Sequence, residues 1–270
     1  MRPESELLDE IEQVCARDRR FQILLFSQFI GVEGRIYTRG FWERILDLCE
    51  ERDLDLVIDE GMWFDPVDYP TRMNNDRTIR LVSPSKKYGN PGMKMGYLLA
   101  PEPFLRGYYD RVSTFLGGPP SLLFLLAEFL YLFETVQRTG AVASLAALAG
   151  RYRIDEAEVL QLFDDARATT AANRQTYATN RRVLERWVVE NADLVHHAHI
   201  HDGINVLIEP KTPLAAYDLF TALIQEKRVS IFPGRCLGDP SDRLCRVTIL
   251  ESTADLQDGL QHLADFLRSQ

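Results

Sequence analysis

Residues 83–97 combine side chains that can bind a phosphate and form a covalent bond with an aldehyde. In the run SPSKKYGNPGMKMGY, Ser83 and Ser85 precede Lys86, and a second cation, Lys94, follows eight positions later. A lysine amine forms an imine with an aldehyde, hydroxyls and a cation hold a phosphate, and glycines leave room for a flat ring. The segment therefore predicts a covalent site for pyridoxal phosphate (PLP). A polar loop with ordinary surface lysines is the alternative.

The spacing of this segment resembles the S-x-S-K-x(7)-[RK]-x-G-[YF] signature of the class I/II aminotransferases, which are fold-type I PLP enzymes. The resemblance implies that Lys86 forms the Schiff base with PLP and later moves the proton at the substrate Cα. It also implies that Ser83 and Lys94 bind the phosphate, with Ser85 as a second hydroxyl candidate. Lysine replaces the family's arginine at position 94 and loses the planar two-pronged contact, so we expect a less rigid phosphate site.

Two further segments resemble the same family in the same order along the chain. In LVIDE, Asp59 matches the aspartate that pairs with the pyridine nitrogen and keeps the ring protonated. In LCRVT, Arg246 matches the arginine that binds the substrate α-carboxylate, and the upstream SIFPG resembles the family's V-x-x-x-P-G turn. Without the resemblance, Asp59 would read as a strand or turn cap and Arg246 as a surface ion-pair partner.

The chain departs from the family in three places. The resemblance starts in the middle of the family's large domain, so the first strands, a glycine-rich phosphate cradle and a stacking aromatic have no counterpart. FSQFIGVEG stands where the family has an asparagine that bonds the ring 3-oxygen, and Met62 replaces a tyrosine with the same role. Losing both donors should raise the pKa of the Schiff base. We expect an exposed sheet edge and a partner, either a second subunit carrying the missing half or another copy of this chain.

Apolar patterning predicts an α/β protein of the PLP-dependent transferase type (aspartate aminotransferase fold type I). We expect a truncated large domain with a mainly parallel sheet in residues 1–165, including a helical connection. Residues 166–270 should hold a long linking helix and a small α+β C-terminal domain. The predicted helices cover residues 4–16, 41–52, 215–226 and 254–268, with further helices between 103 and 190. The predicted strands are 21–26, 54–58, 78–83, 95–100, 228–232 and 246–250, with a hairpin around residues 202–203.

The composition excludes several classes of protein. The chain has 270 residues and a formal net charge of -9, which argues against a general nucleic-acid-binding surface. Four scattered cysteines suggest free thiols in a reducing cytoplasm, and the polar, acidic N-terminus is unlike a signal peptide. The longest apolar run, residues 121–133, is interrupted by Glu128 and predicts a buried helix rather than a membrane span.

His196, His197, His199 and His201 lie close together, and the last three would share one face of a strand. Three histidines on one strand cannot easily surround a tetrahedral ion, so we predict no metal site. We instead expect a partly exposed strand near the domain boundary, where it could contact substrate.

The sequence predicts a PLP-dependent enzyme that acts on an amino acid, with transamination as the default reaction. Decarboxylation, elimination and cyclisation begin from the same chemistry. A non-catalytic structural or regulatory subunit of a PLP-enzyme complex is the alternative. A transcription factor built on an aminotransferase domain is the more distant one, since the chain lacks a basic DNA-binding module.

Overall fold

The computed structural model describes residues 3–18, 20–30, 35–61, 68–83, 88, 95–116, 121–199, 203–237 and 241–270. The chain forms two compact units. The first comprises Met1–Phe26 and Thr38–Ala171, and the second comprises Ser27–Tyr37 and Ala172–Gln270.

The described helices and strands are numbered here along the chain. The helices are α1 (Glu4–Arg17), α2 (Arg39–Arg52), α3 (Glu102–Leu116), α4 (Ser121–Thr139), α5 (Ala143–Tyr152), α6 (Glu156–Glu190), α7 (Ala216–Lys227) and α8 (Thr253–Arg268). The strands are β1 (Ile23–Ser27), β2 (Phe29–Ile30), β3 (Arg35–Ile36), β4 (Asp55–Asp59), β5 (Thr78–Val82), β6 (Tyr97–Leu99), β7 (Val195–His199), β8 (Asn205–Pro210), β9 (Phe232–Pro233) and β10 (Cys245–Thr248). Short 3-10 turns cover Thr71–Met73 and Gly234–Leu237.

The first sheet has the strand order β1-β4-β5-β6. Strands β4 and β5 run parallel, with Asp59 opposite Leu81, as strand-helix-strand patterning predicted. Strand β6 instead runs antiparallel to β5, with Tyr97 opposite Val82. A parallel neighbour needs a long crossover connection, whereas strands that follow each other closely in sequence pair antiparallel more readily. The sheet is therefore mixed.

Helix α2 is capped at its start by Thr38. The Thr38 hydroxyl accepts a hydrogen bond from the Phe41 amide at 3.2 Å and donates one to the Glu4 carboxylate at 2.6 Å. One bond satisfies a free amide of the first turn, and the other joins α1 to α2. The apolar side of α2, including Trp42 and Ile45, is fully buried.

The apolar run at residues 121–133 forms most of α4, but the prediction of a buried helix is wrong for one of its faces. Phe129 and Phe133 are buried, whereas Leu122 and Phe124 are 69% and 50% exposed. A helix that packs on one side buries only a stripe of its surface. In the described part of the chain, no helix is both long enough and apolar enough to cross a bilayer.

The second unit contains an antiparallel sheet with the order β7-β8-β10-β9. The predicted hairpin is present as β7 and β8, and side chains of β8, β10, α7 and α8 form its core. The predicted strand 228–232 is wrong at its start, because Arg228 adopts a left-handed conformation (φ 60°) that ends α7. The 35-residue helix α6 carries the chain from the first unit into the second.

Candidate active site

Asp59 and Ser83 lie at the carboxyl ends of neighbouring parallel strands. Asp59 is the last residue of β4, and Ser83 directly follows β5. The backbone joins these ends, since the Glu60 amide donates to the Leu81 carbonyl at 2.7 Å. In open α/β sheets, ligands bind at this edge. The two predicted site residues are thus brought together, with the Asp59 side chain facing solvent.

Gly61 lies between these two side chains and was not predicted as a site residue. Its amide donates a hydrogen bond to Asp59 Oδ1 at 2.9 Å. A Cβ at position 61 would lie 2.9 Å from that same oxygen and 3.5 Å from the Ser83 Cβ. Glycine therefore permits an approach that any other residue would disturb. The available signal was a glycine placed directly after the Asp59-Glu60 pair that ends a strand.

Glu60, the neighbour of Asp59, forms an ion pair with Arg80 of β5. The Arg80 Nη2 donates to Glu60 Oε2 at 2.9 Å, a second bond joins Nε to Oε1, and the Arg80 guanidinium lies 5.0 Å from the centre of the Tyr69 ring. Burial lowers the pKa of Arg80, but the hydrogen bonds and charge of Glu60 raise that pKa above its ordinary value. Glu60 is thus held by the protein, whereas Asp59 faces solvent and is available to a ligand.

Arg246 lies in the second unit, on β10, opposite Leu207 of β8 and Phe232 of β9. Its guanidinium stands 4.6 Å from the centre of the Phe232 ring, within the SIFPG segment singled out in the sequence. Burial lowers the pKa of Arg246. Within the described residues, its Nε has no hydrogen-bond partner and its guanidinium forms no ion pair. A half-buried cation of this kind favours an anionic ligand.

The remaining predicted site residues lie outside the described part of the chain. These are Lys86, Ser85 and Lys94, together with the substituted position Met62 and His201. Their predicted roles stay predictions.

The histidine-rich segment forms strand β7, with His196 exposed and the backbones of His197 and His199 opposite Glu209 and Leu207. Among the residues that the structure describes, no group of three or more His, Cys, Asp or Glu side chains is placed to hold a metal ion.

Residues 5–263 match the family model described as aminotransferase class I and II, so the chain belongs to that family. A curated relative is the L-aspartate:5-guanidino-3-methyl-2-oxopentanoate transaminase of Pseudomonas syringae pv. syringae. It is 32% identical over 98 residues, which are 34% of this chain and 25% of the relative.

Solved structures share the fold. A PLP-dependent aminotransferase from Streptococcus suis 89-1591 has a TM-score of 0.72 and 20% identity, and the match covers 97% of this chain and 61% of that one. The aromatic aminotransferase from Pyrococcus horikoshii OT3 has a TM-score of 0.70 and 15% identity, with 97% and 63% covered. The chain therefore spans about three fifths of these structures and a quarter of the curated relative.

Proposed function

We propose that this protein is a PLP-dependent enzyme of the aminotransferase type that acts on an amino acid through a Schiff base at Lys86. The observation that carries the proposal is the convergence of Asp59 and Ser83 on Gly61 at the carboxyl ends of β4 and β5. An anion, a hydroxyl and an open glycine on one sheet edge suit a cofactor that has a protonated ring nitrogen and a phosphate. Family membership supports the same assignment.

The residues present fit this cofactor. Asp59 would hold the proton on the pyridine nitrogen, since its carboxylate is exposed and the competing charge of Arg80 is taken up by Glu60. Ser83 would bind the phosphate, with Ser85 and Lys94 as the further donors. Bound PLP supplies an electron-withdrawing ring that makes the substrate Cα proton acidic. The amine of Lys86, once released from its covalent bond, would carry that proton.

Arg246 would bind the substrate α-carboxylate, which assigns amino acids as the substrate class. Support comes from its half-buried guanidinium, which lies over Phe232 and forms no ion pair within the described residues. Arginine matches a carboxylate with two parallel hydrogen bonds, a geometry that lysine cannot reproduce. Transamination, with a 2-oxo acid as the final acceptor of the amino group, is the reaction proposed, because the matched curated relative is a transaminase.

The experiment is a PLP titration followed by borohydride reduction and peptide mapping, on the parent chain and on Lys86→Ala. We expect an imine absorbance band and a reduced adduct at Lys86, both absent in the variant. Lys87→Ala is the matched control and should keep both signals. Failure of the parent to take up PLP, alone or with a co-purified partner, overturns the proposal. An assembled complex whose activity survives Lys86→Ala would establish the alternative of a non-catalytic subunit.

We further propose that a separate partner chain completes the first sheet. Strand β1 is an outer strand of the described sheet, and its alternate side chains Ile23 and Leu25 are 55% and 67% exposed, with the preceding Phe21 45% exposed. Exposed apolar strands at a sheet edge pair with other chains. The match to two solved relatives covers 61% and 63% of their chains.

Co-expression with the product of the adjacent reading frame, followed by size-exclusion chromatography with light scattering, tests this partner. We expect a complex that Leu25→Lys weakens and that Val189→Lys leaves intact, because Val189 is also exposed (77%) but lies on α6. Self-association of the chain alone would make another copy the occupant of β1 and overturn the separate partner. A chain that stays monomeric in both preparations would overturn completion by any partner.

Each part of the chain has a proposed role. Residues 1–165 would form the partial PLP-binding domain with its helical connection, and residues 166–270 the linking helix and small C-terminal domain. Cys15 and Cys49 are buried free thiols, which suits a reducing compartment, so we propose the cytoplasm.

A further inference from the structure

Tyr88 lies two residues after Lys86 and is anchored on helix α4 in two ways. Its hydroxyl donates a hydrogen bond to Glu134 Oε1 at 2.7 Å. Its ring packs edge to face against Phe133, with the ring centres 5.8 Å apart. Phe133 is only 1% exposed and belongs to the core that α4, α5 and α6 share. Both contacts fix Tyr88 to a rigid part of the first unit.

Val82, four residues before Lys86 in the sequence, is held by its pairing in the first sheet. Val82 of β5 pairs with Tyr97 of β6, and a Cβ on Gly96 would lie 3.2 Å from the Val82 carbonyl. Burial is the main cause that raises the pKa of Tyr97, and the charge of Glu134 is the next. The Glu134 carboxylate, which accepts the Tyr88 hydrogen bond, therefore also acts on Tyr97 of β6.

We propose that Tyr88 is a positioning residue, whose hydrogen bond to Glu134 fixes where the Lys86 amine is presented. This inference rests on the proposed covalent role of Lys86. Lys86 lies four residues after Val82 and two before Tyr88 in the sequence, so each anchored residue is a close sequence neighbour of Lys86. The ring of Tyr88 fills space as a phenylalanine would, and the hydroxyl adds the directional bond that selects one arrangement.

The chain contains a matched control for this bond. The Tyr152 hydroxyl donates to Glu128 Oε2 at 3.0 Å, and Glu128 belongs to the same helix α4. Tyr88→Phe and Tyr152→Phe thus each remove one tyrosine-to-glutamate hydrogen bond from α4. Only Tyr88→Phe should change tryptic cleavage and PLP trapping at Lys86. If the Tyr88 hydroxyl only stabilised the fold, the two variants would give the same results.

The first measurement needs no cofactor: the rate of tryptic cleavage after Lys86 and Lys87, with cleavage after Lys227 and Arg228 at the end of α7 as the internal reference. Loss of an anchor raises the population of locally open states that a protease can cut. We expect Tyr88→Phe and Glu134→Ala to raise this rate about tenfold, and Tyr152→Phe to change it less than about twofold. Glu134→Gln keeps an acceptor oxygen and should restore much of the protection. Equal rates in Tyr88→Phe and the parent overturn the inference.

The second measurement is the PLP dependence of the borohydride-trapped adduct at Lys86, made on the chain with any partner that co-purifies. We expect Tyr88→Phe to need about tenfold more PLP for half-occupancy, and Tyr152→Phe to match the parent. If the parent and all variants trap PLP with the same dependence on its concentration, the positioning role of Tyr88 is overturned and the proposed function is not. A parent chain that traps no PLP overturns the proposed function, and the role of Tyr88 with it.

Discussion

The two sheets of this protein differ in how completely the chain covers them. In the second unit, Val206 and Ile208 of β8 are fully buried, and helices α7 and α8 contribute to the same core. In the first unit, Ile23 and Leu25 of β1 are more than half exposed although they are as apolar. Burying such side chains is the main favourable term in folding. Folding of this chain buries the apolar side chains of β8 and so gains their hydrophobic free energy. The side chains of Ile23 and Leu25 on β1 remain in contact with water.

The candidate functional residues are divided between the sheet with an exposed outer strand and the sheet with a buried core. The first unit holds the acid and the hydroxyl, Asp59 and Ser83, on a sheet with an exposed outer strand. The second holds the candidate carboxylate receptor, Arg246, in a sheet whose core is complete. We infer that a partner bound at β1 would change the proposed cofactor site in the first unit more than the proposed carboxylate site in the second.

The strongest test of this contrast places a lysine on each sheet. Val206→Lys would bury a charge without a partner, so we expect the free energy of unfolding to fall by more than about 4 kcal/mol. Leu25→Lys leaves the charge in water and should change the free energy of unfolding by less than about 0.5 kcal/mol. Urea unfolding followed by circular dichroism measures both. A similar loss in the two variants would mean that β1 is as well covered as β8.

The next effect concerns Asn180, a fully buried amide in the second unit. Its nitrogen donates to the carbonyls of Ile249 and Glu251 at 3.0 and 2.8 Å, and its oxygen accepts from the Thr253 hydroxyl at 2.7 Å. Asn180→Leu would leave these groups unpaired, so we expect a loss of about 3 kcal/mol. Asn173→Leu, a half-buried position on the same helix, should cost less than about 1 kcal/mol. Thermal unfolding of both variants decides, and equal melting temperatures would deny Asn180 this role.

Gly61→Ala should change the site without unfolding the first unit. The added methyl would meet Asp59 Oδ1 at 2.9 Å, and this flexible carboxylate can rotate away at little cost in stability. We expect PLP affinity to fall about tenfold, or about 1.4 kcal/mol, while the melting temperature stays nearly constant. Gly150→Ala is the control, because a Cβ there meets nothing within 4 Å. Unchanged affinity would show that the Asp59 carboxylate is not the group that PLP needs.

The smallest expected effect is a pH dependence of stability caused by Cys49, which is buried on α2 in the first unit. Burial, followed by the nearby Cys15 and Asp55, raises the pKa of Cys49 on α2 to about 12 from its ordinary 9.0. The folded state therefore holds this proton more tightly, and the stabilisation declines as the pH rises above the unfolded value. We expect the parent to lose about 1 kcal/mol more than Cys49→Ala between about pH 8 and about pH 10. Parallel stability curves for the two proteins would contradict this.

Much of the fold follows from local pattern, because helix and strand periodicities record which faces are buried. Apolar spacing predicted α2, and a hairpin signal predicted β7 and β8. One boundary was wrong: Arg228 ends a helix instead of starting a strand, because its left-handed backbone conformation is not revealed by composition. The antiparallel direction of β6 depended on how the chain returns to the sheet.

For the site, the residue types and their order can be read from the chain: Asp59, Ser83, Lys86, Lys94 and Arg246. The packing of strands and helices adds that Asp59 and Ser83 meet at Gly61, that Glu60 pairs with Arg80, and that Tyr88 donates a hydrogen bond to Glu134. Such contacts join residues far apart in sequence, with geometries that depend on how strands and helices pack. Residue order can indicate a chemistry, but the distances that make it possible arise only when the chain folds.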